Sequence, residues 1–240
     1  MEHRDRLWPG GYTFLYDDGL FRPSTDTFLL GAFPRLRRGM TVCELGAGTG
    51  LLSLLLLARE PELTVTGVEL QPQACALFRR TAEENGLQGR MHCLEGDLRQ
   101  GLLPPGRFRL AVANPPYFPP DAGAVAPDAP RRTARAETDC TLSQLCAAAA
   151  RALTWGGSFC LVHRPDRLAD VLEELRRVRL EPKRLRFVHH TAAAPPSLFL
   201  LEARLGGGVG LTVEPPLLLH GPDGGETEDV RRAYFRDKEE

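Results

Sequence analysis

From about residue 40 onward, short apolar runs alternate with stretches of helical spacing, and that alternation leaves few folds open. Strands are expected at 41–45, 63–70, 90–94, 108–113 and 157–163, from their β-branched and apolar content. Helices are expected at 50–58, 73–85, 142–153 and 167–178, with Gly86 closing the second. Such alternation argues for an α/β fold with a doubly wound, mostly parallel sheet covered by helices on both faces. The last two runs, 184–190 and 197–204, are joined too briefly for a crossover helix and should pair antiparallel at one edge. The total is seven strands.

A chain of 240 residues can bury a sizeable core, and one domain spanning 1–240 is expected. It divides into an N-terminal segment (1–38), the alternating core (39–205) and a C-terminal tail (206–240) whose glycines and Pro215-Pro216 break the pattern. A net charge of −1 gives no global attraction to nucleic acid, so any such partner must be held by local basic patches. Two patches stand out: Arg131, Arg132 and Arg135, and the group Arg176, Arg177, Arg179, Lys183, Arg184 and Arg186. None of the six cysteines forms a C-x-x-C pair, and they read as small buried hydrophobes in a reducing compartment. No metal site is expected, since no ligand set completes His189-His190. The N-terminus lacks an apolar signal core and no apolar run is long enough to span a bilayer, so the expected location is the cytoplasm, with no membrane partner.

The first strand runs into Glu44-Leu-Gly-Ala-Gly-Thr-Gly50. Glycines there allow a tight turn and a close ligand approach to a helix N-terminus. The spacing is G-x-G-x-G, not the G-x-G-x-x-G of dinucleotide binders, and a carboxylate at Glu44 suits a ligand carrying positive charge. Glu69 ends the second strand, where it can accept from both hydroxyls of a ribose. Asp97 follows the third strand and can accept from an adenine amino group. Together they line the carboxyl ends of adjacent strands, where open α/β sheets bind ligands.

The fourth strand ends in Asn114-Pro115-Pro116-Tyr117. Two prolines hold the backbone extended, so the Asn114 side chain and the Pro115 carbonyl can point into one cavity beside an aromatic ring. A planar amine needs that set: two acceptors for its two hydrogens and a ring to stack on. The Pro- and Ala-rich segment 118–136 directly after it reads as a functional loop.

These residues resemble the class I S-adenosylmethionine-dependent methyltransferases, in their amino-group branch. More closely, the chain is similar to the bacterial tRNA1(Val) adenine-37 N6-methyltransferase family over nearly its whole length. Phe21-Arg22-Pro-Ser-Thr-Asp26-Thr-Phe-Leu-Leu30 looks like that family's entry segment, and Val162–Leu168, Glu181–His189 and the stretch ending at Glu228 are also similar. The resemblance implies a Rossmann-like fold, S-adenosylmethionine as cofactor, and adenine 37 of a tRNA as methyl acceptor. It implies a cofactor site of Asp26, Glu44, Gly46, Ala47, Gly48, Gly50, Glu69, Leu70, Asp97, Leu98 and Asn114. Asn114, Pro115 and Tyr117 would carry the chemistry. Pro116, Phe118, Arg131, Arg132 and Arg135 would meet the substrate. One departure is Ala134-Arg135-Ala136-Glu137, where the family pattern has Ala-Arg-His-Glu. A monomer is expected.

Other acceptors with a planar NH2 fit Asn-Pro-Pro-Tyr equally: N2 of a guanine in ribosomal RNA, or a glutamine amide in a protein. A protein acceptor calls for a partner-binding domain, and little chain before residue 39 is left to build one. A non-catalytic RNA factor would not need Asn114 and the glycine turn intact.

Overall fold

The computed structural model describes residues 1–20, 22–115 and 140–238. Its elements, in chain order, begin with β1 (Glu2–Arg6), β2 (Thr13–Asp17) and α1 (Thr25–Ala32). The alternating core follows as β3 (Thr41–Leu45), α2 (Leu51–Arg59), β4 (Thr64–Glu69), α3 (Pro72–Glu84), β5 (Met91–Glu95) and β6 (Phe108–Ala113). From Cys140 onward come α4 (Leu142–Ala152), β7 (Leu153–His163), α5 (Leu168–Arg177), β8 (Leu180–His189) and β9 (Pro196–Leu205). The tail adds β10 (Thr212–Val213), β11 (Leu217–Leu218) and α6 (Glu228–Ala233).

The main sheet runs β10-β8-β9-β7-β6-β3-β4-β5, with β11 also paired to β8. Strands β3 to β7 are mutually parallel, and β9 lies antiparallel between β7 and β8. All seven expected strands are present. Among the described residues nine strands pair in the sheet, because two short tail segments add to β8 in parallel register. Strand β8 starts earlier than expected, at Leu180, and runs through Pro182 by shifting register between Pro182 and Arg184. A proline has no N–H for the ladder, and an irregularity is where a strand tolerates one.

Side chains alternate between two cores, as strand geometry requires. Val42, Val65, Leu110, Val112 and Val162 face one layer with α1, α2, α3 and α6; Cys43, Leu45, Ala111, Phe159 and Leu161 face the other with α4 and α5. Helix α2 is buried from Leu51 to Ala58, because α1 covers the side that the sheet does not. Gly31 permits that contact: a Cβ there would come within 2.9 Å of Leu55. Helix α3 ends in a Schellman turn, with Gly86 at φ 65°, its N–H on the Glu83 carbonyl and the Leu87 N–H on the Ala82 carbonyl.

Two features differ from expectation. Residues 2–17 form a hairpin on α3, fixed where the Thr13 N–H donates to Asn85 Oδ1 at 2.8 Å and the Leu15 N–H to Thr81 Oγ1 at 3.2 Å. Cys75 and Cys93 are not free thiols but a disulfide joining α3 to β5, their Cα atoms 6.0 Å apart. Cys43, Cys146 and Cys160 are buried free cysteines as expected, and burial pushes the Cys146 thiol up to about 12. Among the described residues no helix is long and apolar enough to cross a membrane, and no cluster of His, Cys, Asp or Glu could hold a metal ion.

Candidate active site

Strand order reverses between β3 and β6: the chain steps outward from β3 to β4 and β5, and from β6 to β7 on the other side. The crevice beyond the carboxyl ends at such a switch point is where this architecture binds ligands. Glu44, the Gly46–Gly50 turn, Glu69, Leu70, Asp97, Leu98 and Asn114 stand there, at the ends of β3, β4, β5 and β6.

The turn after β3 needs its glycines. Gly46, Gly48 and Gly50 all have positive φ, at 75°, 51° and 86°. At Gly50 a Cβ would also come within 2.6 Å of Phe78 and 2.8 Å of Met91, so both conformation and space demand glycine. At Gly46 a Cβ would meet nothing within 4 Å, which leaves the backbone open to an approaching ligand. The Gly46 and Ala47 N–H groups both donate to the Val68 carbonyl at 3.0 Å, tying the turn to β4.

The two glutamates behave differently. Glu69 Oε2 accepts the Gly48 N–H and Oε1 the Gln71 N–H, each at 2.8 Å. Each oxygen keeps a further lone pair, so the carboxylate is aimed by backbone and can still accept from a diol. Glu44 is buried beneath the turn, and its Oε2 accepts both the N–H of Ser53, at 3.0 Å, and the Ser53 hydroxyl. Burial raises its pKa to about 8, with the nearby Glu69 charge adding to the rise. Its carboxyl group, largely protonated at pH 7, therefore holds the first turn of α2 from inside.

Asp97 caps the short turn Leu98–Gln100, accepting the Arg99 N–H at 2.8 Å. The Arg99 guanidinium reaches both carboxylate oxygens, with Nε at 2.9 Å from Oδ1 and 2.8 Å from Oδ2. These bonds hold the Asp97 carboxyl below the usual carboxylate range. Leu70, at the end of β4, exposes 43% of its surface although it is large and apolar, and Leu98 is half-buried. They offer an apolar wall beside the two acids.

Asn114 stands at the end of β6 and its Nδ2 donates to Thr27 Oγ1, in α1, at 2.9 Å. Asp26, half-buried in the first turn of α1, is its neighbour in that helix. Helix α1 is held from behind by α6, where Phe28 and Tyr234 stack with ring centroids 4.2 Å apart and the Tyr234 hydroxyl donates to Thr25 Oγ1 at 3.1 Å. Next along the sheet, β7 ends in the buried His163, whose Nδ1 accepts the Arg164 N–H at 2.8 Å. Burial lowers its pKa, which keeps the ring neutral at pH 7. Pro116, Tyr117, Phe118, Arg131, Arg132, Arg135 and Ala136 lie outside the described residues.

The second basic patch is engaged internally. Arg176 pairs with Glu181, Arg177 with Glu173 and Glu174, and Arg186 with Asp229. Arg184 is half-buried against Glu202, Glu214 and the Phe33 ring, Arg179 lies over Trp155, and Lys183 donates to the Gly208 carbonyl.

The model of the methyltransferase small domain family matches residues 24–181, a span that runs from the start of α1 to β8. The chain is 31% identical to the tRNA1(Val) (adenine(37)-N6)-methyltransferase of Yersinia enterocolitica over 182 residues, covering 73% of this chain and 71% of that one. It is 32% identical to the Porphyromonas gingivalis protein of the same name over 191 residues, covering 76% and 74%. This chain belongs to the tRNA1(Val) (adenine(37)-N6)-methyltransferase family. The fold agrees with the crystal structure of a predicted O-methyltransferase from Agrobacterium tumefaciens: TM-score 0.72, 21% identity, 87% of this chain and 96% of that one.

As a methyltransferase of this family the chain takes S-adenosylmethionine as cofactor, and the crevice fits that molecule. It presents a backbone open at Gly46, a carboxylate at Glu69 oriented by two backbone N–H groups, and an exposed apolar side chain at Leu70. Sequence reasoning missed Thr27, Ser53, Gln71 and Arg99. Arg99, two residues after Asp97, was open to inference from spacing alone. Thr27 was not, since 87 residues separate it from Asn114.

Proposed function

We propose that this methyltransferase transfers the methyl group of S-adenosylmethionine to the exocyclic N6 of an adenine in tRNA, at position 37 of tRNA1(Val). Bound S-adenosylmethionine supplies an activated methyl group, so transfer needs alignment more than an acid or a base. Glu69 would orient the ribose, Leu70 and Leu98 would flank the adenine, and the Gly46–Gly50 turn would lie along the cofactor.

Adenine N6 is a poor nucleophile because its lone pair is delocalised into the ring. With one N6 hydrogen on Asn114 Oδ1 and the other on the Pro115 carbonyl, the nitrogen gains sp3 character and its lone pair can aim at the methyl carbon. Methyl transfer from sulfur to N6 would leave the nitrogen with one proton too many, and that proton would pass to solvent. Tyr117 would stack on the extruded base, a contribution of roughly 1–3 kcal/mol. Arg131, Arg132 and Arg135 would contact phosphates, since the other basic patch is spent on internal partners. We place the enzyme in the cytoplasm, with its tRNA substrate, as a monomer.

The observation that carries this reading is Asn114, held at the strand end beside the glycine turn with one face of its amide already fixed. Asn114→Ala should abolish transfer to tRNA while leaving S-adenosylmethionine affinity within about threefold, or ~0.7 kcal/mol, because the other residues of the expected cofactor site stay in place. Equal losses of turnover and cofactor binding would refute that division of roles.

A further inference from the structure

The amide of asparagine has two nearly isosteric orientations, and only one of them can work at the end of β6. An acceptor amine needs Oδ1 facing it; the flipped amide would oppose N–H to N–H. We infer that Thr27 is a positioning residue that selects the productive orientation of Asn114, an inference that rests on the proposed amine-methylating role of that residue.

Thr27 is buried, 2% exposed, in the first turn of α1, and its Oγ1 lies 2.9 Å from Asn114 Nδ2. The Ser24 hydroxyl lies 3.3 Å from Thr27 Oγ1, within reach as an acceptor, and a Thr27 proton directed to it leaves Thr27 facing Asn114 with a lone pair. That lone pair accepts from Nδ2 and would be repelled by Oδ1. The orientation is therefore set before substrate arrives, as preorganised catalysis requires.

The helix carrying Thr27 cannot easily move away. Gly31 seats α1 on Leu55 of α2, the helix that opens at the glycine turn, and Phe28 stacks on Tyr234, the residue directly after α6. One short helix thus connects the cofactor turn, the C-terminal segment and the reactive asparagine. Displacement of a reacting group by about 1 Å can cost about 10²-fold in rate, so small losses of position matter here.

The test uses Thr27→Val, which keeps the branched shape and removes the acceptor, and Thr27→Ser, which keeps the hydroxyl. In Thr27→Val, kcat on tRNA should fall about 10–100-fold, the loss expected for a misdirected hydrogen-bonding group. The Kd for S-adenosylmethionine and the Tm should stay close to wild type, and Thr27→Ser should restore most of kcat. A readout independent of turnover is the Asn114 side-chain amide signal in 15N NMR, assigned by its loss in Asn114→Ala. It should shift in Thr27→Val with the backbone spectrum unchanged. Unchanged kcat and an unmoved Asn114 signal would overturn the inference, as would a parallel fall in kcat, Tm and cofactor affinity that serine does not rescue. A wild-type enzyme inactive on every RNA would refute the proposed substrate, while the NMR comparison would still decide the role of Thr27.

Discussion

The Gly48 N–H donates to Glu69 Oε2 at 2.8 Å, and that bond joins the glycine turn after β3 to the carboxyl end of β4. The other oxygen of the same carboxylate holds the Gln71 N–H, so Glu69 shapes the crevice at the ends of β3 and β4 before any ligand arrives. Two backbone donors on one side chain leave no room for a donor in its place.

Glu69→Gln tests this. Its amide NH2 must face one of the two backbone N–H groups, which strands a donor. S-adenosylmethionine affinity should fall about tenfold or more, and stability by about 1–2 kcal/mol, the cost of an unsatisfied partly buried group. Calorimetric titration and thermal unfolding measure the two effects. A variant that binds cofactor like wild type would remove Glu69 from the cofactor site.

Glu44 makes a pH prediction. Its folded pKa, about 8, lies above the ordinary value of 4.5, so the native state holds its proton more tightly than the unfolded chain. Its contribution to stability is fully present below about pH 4.5 and is lost as pH rises to about 8. Glu44→Gln keeps an oxygen for Ser53 and has no proton to lose. The difference in Tm between wild type and variant, measured from pH 5 to 8.5 without ligand, should therefore move steadily against the wild type. A difference that stays constant over that range would show that Glu44 does not titrate there.

Asp97 and Arg99 compete for the same bonds. If an adenine amino group uses Asp97, it shares or displaces the guanidinium that now grips both oxygens. Asp97→Asn should weaken S-adenosylmethionine binding about 2–10-fold, and Arg99→Met should weaken it less or tighten it. A larger loss from Arg99→Met would put the arginine, not the aspartate, against the cofactor.

RNA binding should follow the arginines of segment 118–136. Replacing Arg131, Arg132 and Arg135 together by Ala should raise KM for tRNA and flatten its dependence on salt. The log–log slope should drop by up to about 0.7–0.9 for each phosphate that is no longer neutralised. Arg176→Ala and Arg177→Ala, whose guanidinium groups already face Glu181 and Glu173, should leave KM for tRNA nearly unchanged. Measuring KM at several salt concentrations separates the two patches.

The parts legible in the sequence are those whose signal is local. The glycine turn, Glu69, Asp97 and Asn114 each follow an apolar strand within a few residues, and the sheet brings those ends together. Strands β3 and β6 coincide with their expected bounds because both are buried and apolar. The hairpin of β1 and β2 leaves little trace because Glu2–Arg6 is a run of charged residues exposed on nearly every position. The internal pairing of the second basic patch depends on Glu202, Glu214 and Asp229, which only the fold brings near. The Cys75–Cys93 bond likewise depends on α3 lying against β5. Tertiary partners of this kind have no local signature.

The most direct test of the central claim is transfer to unmodified tRNA1(Val) from labelled S-adenosylmethionine, with nucleoside mass spectrometry and a transcript in which adenine 37 is replaced by guanine. The account predicts N6-methyladenosine in the first transcript and none in the second. Label appearing instead as N2-methylguanosine, in ribosomal RNA or on a protein glutamine would contradict it.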